Sequence, residues 1–139
     1  MAILVNTFNI APGVTYCIHS HHRNGTPGKS QWSIPKIHER DAFVHARNQN
    51  WLLQDVGWGL HIAGGQVAYL GVAQDRKRQL FVAKFVDGDQ IQAWHGYPAD
   101  HQQHPKDIPT QNTLQKWLNA NLLRPAVIRK LVRGQPCNL

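Results

Sequence analysis

Acidic residues are scarce in this chain, and cysteines scarcer. Eight Asp and Glu stand against fifteen Lys and Arg among 139 residues, a net charge of +7 with histidines neutral. No acid precedes Glu39 and none follows Asp107. A basic excess so placed points to a polyanion partner, above all nucleic acid. The only cysteines, Cys17 and Cys137, lie near opposite ends. Two such residues exclude a disulfide framework and a Cys-x-x-Cys zinc site, and both are expected to be free thiols. No apolar run approaches the roughly 18 residues of a membrane span. The opening "MAILVNTFNIAPGV" lacks the basic start and sustained apolar core of a secretory signal, so the expected location is the cytoplasm. No basic segment carries a broad bulky apolar face, which argues against a membrane-surface partner. Gly-x-Ser-x-Gly, the Walker loop and the Rossmann fingerprint are all missing, so chemistry dependent on ATP or NAD is not expected, nor any other cofactor.

What is present reads as one domain over residues 1–139, with no internal repeat. "ILVNTFNI" and "VTYCIH", separated by "APG", predict an N-terminal hairpin. "HSHHRNGTPGKSQ" predicts an exposed loop, and residues 36–49 a helix whose apolar side is Ile37, Phe43 and Val44. Four short β-rich runs follow: "WLLQDVGWGLHI", "QVAYLGVA", "RQLFVAKFV" and "QIQAWHGY". Tight turns between them, with Asp87-Gly88 the strongest hairpin signal, predict an antiparallel four-stranded meander. Along the third run Phe81 and Phe85 share the face expected to be buried, and Lys84 points the other way. Thr110 is the natural N-cap of a helix with the stripe Leu114, Trp117, Leu118 and Leu122. Pro125 opens a second, bearing Val127, Ile128, Leu131 and Val132. The expected fold class is therefore α+β: the meander, an N-terminal hairpin and helix, and two C-terminal helices packed on one face.

Histidine is the one side chain whose ordinary pKa suits proton transfer near neutrality. The stretch "AWHGYPADHQQH" holds His95 at a strand end, then Gly96, Tyr97 and Pro98, then His101 and His104. His95 is the expected working residue, with Gly96 leaving room for a ligand, Tyr97 a stacking face, and His101 or His104 the second proton-transfer group. Lys84, on the neighbouring strand, completes the candidate catalytic set. His19, His21 and His22 in "HSHH", or His95, His101 and His104, offer imidazoles at no standard zinc spacing, and no metal site is expected. His38, Asp41 and His45 share a helix face, read either as an oriented base or as a polar surface. The candidate phosphate-binding residues are Arg124, Arg129, Lys130 and Arg133 at the C-terminal end, Arg76, Lys77 and Arg78 in a turn, and Tyr97.

Two functions of different classes stay open. One is a metal-independent, RNA-cleaving, toxin-like bacterial ribonuclease. RNA carries its own nucleophile, so an acid, a base and cations suffice. The other is a non-catalytic nucleic-acid-binding module or accessory protein, gripping phosphate with its C-terminal cluster. RNA is a stronger expectation than DNA, and a protein inhibitor or antitoxin is a further expected partner. In element order, helix then four-stranded meander then C-terminal helix, the chain resembles ribonuclease toxins related to RelE and barnase. That resemblance implies an RNA-directed activity but rests on no shared motif.

Overall fold

The chain first reverses at Pro12-Gly13, where Gly13 takes a left-handed φ of +76° that an L side chain resists. In the computed structural model, which describes residues 6–139, this turn joins strands β1 (Thr7–Ala11) and β2 (Val14–Cys17) as the expected antiparallel hairpin. The β-structure expected over residues 3–5 lies outside the described residues. A 3-10 turn (Ser20–His22), strand β3 (Gln31–Trp32) and helix α1 (Lys36–Asn48) follow. Then come β4 (Val56–Ala63), β5 (Gln66–Ala68), β6 (Gly71–Val72), β7 (Gln79–Leu80), β8 (Val82–Val86) and β9 (Ala93–Pro98). A second 3-10 turn (Pro105–Asp107) leads to α2 (Gln111–Asn119) and α3 (Pro125–Val132). The class is α+β, and both C-terminal helices form where expected. The Thr110 hydroxyl accepts from the Thr113 amide as N-cap, and Pro125 opens α3. Among the described residues no helix is long and apolar enough to cross a membrane.

The expected four-stranded meander does not form. The main sheet is mixed and runs β1-β2-β9-β8-β4-β5, with β2 parallel to β9. Strand β8 lies between β4 and β9, so the second β-rich run is not its neighbour. That run and the next each break, at Tyr69-Leu70 and at Phe81. The pieces β6 and β7 join β3 in a separate three-stranded sheet. Leu70 and Phe81 are buried at these corners. Gly71 permits the departure. A Cβ there would stand 2.4 Å from the Pro98 ring and 2.5 Å from the Gln31 carbonyl oxygen, so only glycine lets β6 lie against β3. Strands β8 and β9 are a hairpin as expected, but not through a two-residue Asp-Gly turn. Asp87 is buried, and its carboxylate accepts from the amides of Ile91 (3.2 Å) and Gln92 (2.9 Å), holding a wider loop.

Helix α1 covers one face of the main sheet. Its buried side is Glu39, Ala42, Phe43 and Ala46, whereas Ile37, expected inside, is 50% exposed. The Phe43 ring lies 4.9 Å from Tyr16, 5.3 Å from Phe85 and 5.7 Å from Trp94. Gly96 belongs to this packed face. A Cβ at 96 would stand 2.5 Å from the Phe85 ring and 2.9 Å from the Tyr16 hydroxyl, so the glycine makes room for a phenylalanine and not for a ligand. Gly96→Ala is expected to cost about 1–3 kcal/mol through overpacking, read as a lowered urea midpoint. An unchanged midpoint would show that the Phe85 ring can move aside.

The opposite face carries a row set by register. Trp58 pairs with Lys84, and Lys84 pairs with Tyr97, so the three side chains stand side by side across β4, β8 and β9. The second 3-10 turn is pinned above them. The Trp58 indole donates to the Asp107 carbonyl (3.0 Å), the Lys84 ammonium to the Lys106 carbonyl (2.8 Å), and the Tyr97 hydroxyl to the Asp107 carboxylate (2.9 Å). Beyond it α2 is anchored through Trp117, whose ring meets Trp51 at 5.6 Å, and through Lys116, which donates to the Asn50 carbonyl.

Candidate functional site

Between that pinned turn and the loop following β2 lies a cleft of about 560 Å³. Lys84, Tyr97, His104 and Lys106 line it from the sheet side, and His22, Lys29 and Ser30 from the loop. The acids on its walls are already engaged. Asp107 accepts from Tyr97 and from the Asp100 amide, and lies 3.6 Å from the Lys84 ammonium. Asp100 is gripped by both arms of the Arg78 guanidinium, each at 2.7 Å. Burial pushes the Asp100 carboxyl up, but the Arg78 fork outweighs it and holds the group below the usual carboxylate range. Burial, then the Asp107 charge, raises the Tyr97 phenol, which therefore stays a neutral donor. With its carboxylates so occupied, the cleft offers exposed Lys29, Lys106 and His104 to a ligand.

His22 is the most constrained titratable group here. Its Nδ1 lies 2.8 Å from the Ser30 carbonyl oxygen. A carbonyl only accepts, so Nδ1 carries the proton of the neutral ring, and Nε2 is left with a lone pair. Nε2 makes no hydrogen bond among the described residues. Ser30 is itself fixed, its hydroxyl donating to the Pro98 carbonyl at 2.7 Å. The Tyr97 ring stacks on the imidazole at 5.1 Å and 16°. Burial lowers the His22 pKa, the Ser30 bond pulls it back, and His19, Lys29 and His95 depress it further. The ring is thus poised as a neutral base at pH 7.

A buried ion pair holds the loop that carries this histidine. Arg23 donates to Glu39 Oε1 through Nη2 (2.8 Å) and Nε (3.1 Å), and to the Ile34 carbonyl (2.8 Å). Tyr16 donates its hydroxyl to the other oxygen of Glu39. Strand β2, the loop and α1 meet at this one carboxylate, which has no exposed surface.

Of the residues expected to carry catalysis, the structure brings Lys84 and His104 to the cleft. His95 stands outside it, 5.4 Å from His19, and His101 is buried with its Nε2 at 2.7 Å from the Gln135 carbonyl. Tyr97 is in the cleft. Arg78 is half-buried and engaged by Asp75 and Asp100, and Arg76 is exposed but donates to the carbonyls of Gly25, Thr26 and Lys29. Lys77 is exposed. Arg124, Arg129, Lys130 and Arg133 are exposed on and around α3, form no ion pair among the described residues, and do not line the cleft. Sequence reasoning passed over His22 as a base, because its role depends on a backbone carbonyl eight residues away. His38, Asp41 and His45 line a second cleft of about 480 Å³ with His61. There Asp41 bonds Arg40 and does not bridge the imidazoles. Among the described residues no group of three or more His, Cys, Asp or Glu is placed to hold a metal ion. Cys17 and Cys137 are free thiols.

No family model, curated protein or solved structure matches the chain. The likeness in element order to ribonuclease toxins loses its footing too, since it rested on a meander that the sheet replaces with a mixed order.

Proposed function

We propose that this protein is a small basic ribonuclease of the cytoplasm that cleaves RNA without a metal, by acid–base catalysis in the cleft of His22, Lys84 and His104. The observation that carries the reading is the tautomer lock on His22, which leaves an uncharged Nε2 beside a lysine-rich cleft. His22 Nε2 takes the proton of the RNA 2′-hydroxyl. The 2′-oxygen then forms its bond to phosphorus while the bond from phosphorus to the 5′-oxygen breaks. Protonated His104 gives its proton to that departing oxygen. Lys29, Lys84 and Lys106 offset the charge gathering on the phosphorane oxygens. A cationic cleft of this kind suits a protein inhibitor or antitoxin that presents carboxylates. The test is incubation of the purified protein with RNA in EDTA: discrete cleavage supports the reading, and intact RNA at high protein excess rejects it.

One observation favours a second reading, a non-catalytic phosphate-gripping module: the α3 cations are exposed and away from the cleft. Changing Arg129, Lys130 and Arg133 together to Ala should then reduce the slope of log affinity against log salt for single-stranded RNA by roughly 0.7 per lost contact. An unchanged slope assigns those charges to solubility.

A further inference from the structure

Beside the cleft, outside the residues assigned to the reaction, three more histidines are gathered. The His19 ring lies 5.2 Å from His21 and 5.4 Å from His95, and 5.7 Å from His22 itself. Among the described residues none of the rings of His19, His21 and His95 makes a hydrogen bond or an ion pair. With no acid bonded to any of these rings among the described residues, their ring nitrogens stay open to a ligand. It is also continuous with the cleft. His22 belongs to both, stacking on Tyr97 on one side and meeting His19 on the other. On β9, His95 and Tyr97 share a face two residues apart, a separation of about 7 Å that one nucleotide step spans.

We propose that His19, His21 and His95 form a second phosphate subsite, which takes the phosphate adjoining the scissile one on a single RNA strand and takes up protons as it does so. This rests on the ribonucleolytic reading of the cleft for its ligand. The proton linkage follows from the surroundings. Burial, then neighbouring His19, holds the His95 ring below the usual histidine value, against the pull of Asp87 and Asp89 from the β8–β9 loop. Asp87 is already engaged by the Ile91 and Gln92 amides, and Lys29 on the cleft side adds positive charge. In the free protein burial and the neighbouring His19 therefore discourage the His95 ring from protonating. A bound phosphate reverses that balance, so protons enter with it and affinity rises as pH falls.

The experiment uses 2′-O-methyl oligouridylates of two and four nucleotides, uncleavable because the attacking oxygen is capped, with dissociation constants measured between about pH 5.5 and 8. The dinucleotide has a single phosphate and reports the cleft alone. The tetranucleotide should gain extra affinity at acid pH, by up to about tenfold per pH unit for each proton taken up. His19→Gln with His95→Gln should abolish that extra gain and leave dinucleotide binding within a few-fold. His19→Gln alone, at an exposed position, should reduce it with the fold undisturbed. If both variants keep the full acid-dependent gain, the subsite is refuted, even where RNA cleavage is intact. Binding with the predicted gain but no cleavage of unmodified RNA upholds the subsite and rejects the ribonuclease. Failure to bind either oligomer rejects both.

Discussion

Replacement of His22 by alanine is expected to slow RNA cleavage by about 10²–10⁴-fold, the usual contribution of one proton-transfer group. Affinity for RNA should stay within a few-fold, because the exposed ammonium groups of Lys29 and Lys106 line the cleft and do not depend on His22. His22→Gln separates chemistry from position: its amide can still donate to the Ser30 carbonyl, but it brings no basic nitrogen. That variant should fold as the parent does and be as slow as the alanine. The pH profile adds an independent check. Burial lowers the His22 pKa, and the neutral ring is the active form, so the acid limb of the rate should fall below the ordinary histidine value. Full activity in His22→Gln would remove the histidine from the reaction.

The second large effect is on stability. Glu39→Ala is expected to destabilise the fold by about 3–5 kcal/mol, since it strands Arg23 and Tyr16 in the interior. The Arg23 side chain is only 17% exposed, so water cannot replace the lost carboxylate well. Arg23→Ala combined with Glu39→Ala should cost clearly less than the sum of the single changes, the mark of a coupled pair. Glu39 also makes a signed pH prediction. Burial raises its pKa, although the Tyr16 and Arg23 bonds pull it down. A carboxyl raised in the folded state binds its proton more tightly there than when unfolded. The proton-linked part of its contribution is present in full below the unfolded value, and is lost as pH rises through the folded one. Urea denaturation of parent and variant between about pH 4 and 8 reads both effects. A loss below about 0.5 kcal/mol would mean the pair is not an anchor.

Local signals in the sequence translated well. Thr110 caps α2 and Pro125 opens α3, because each acts within its own turn of helix. The placing of Lys84 on the face away from Phe85 also held, since strand alternation is a local property. Pairing is not local. Alternation says which face a residue takes, not which strand lies next to it, and so the meander was expected where β8 pairs with β4. Gly96 was read as space for a ligand, and it is space for the Phe85 ring packed against it from the neighbouring strand. The site divides in the same way. Lys84 and Tyr97 were visible as side chains on and beside neighbouring strands. His22 was not, because its tautomer depends on Ser30, and its loop on an ion pair between Arg23 and Glu39. Contacts of that kind leave no spacing to read.

Central to the proposed reaction is the 2′-hydroxyl of RNA as nucleophile, with His22 as its base. The most direct measurement gives the purified protein, in EDTA, an RNA oligonucleotide and its 2′-deoxy counterpart of the same sequence, and identifies the ends of every product. The expected result is that only the RNA is cut, leaving a 2′,3′-cyclic phosphate and a free 5′-hydroxyl, and that His22→Gln leaves both strands intact on the same timescale. Cleavage of the deoxy strand at a similar rate, or products ending in a 3′-hydroxyl and a 5′-phosphate, would contradict it.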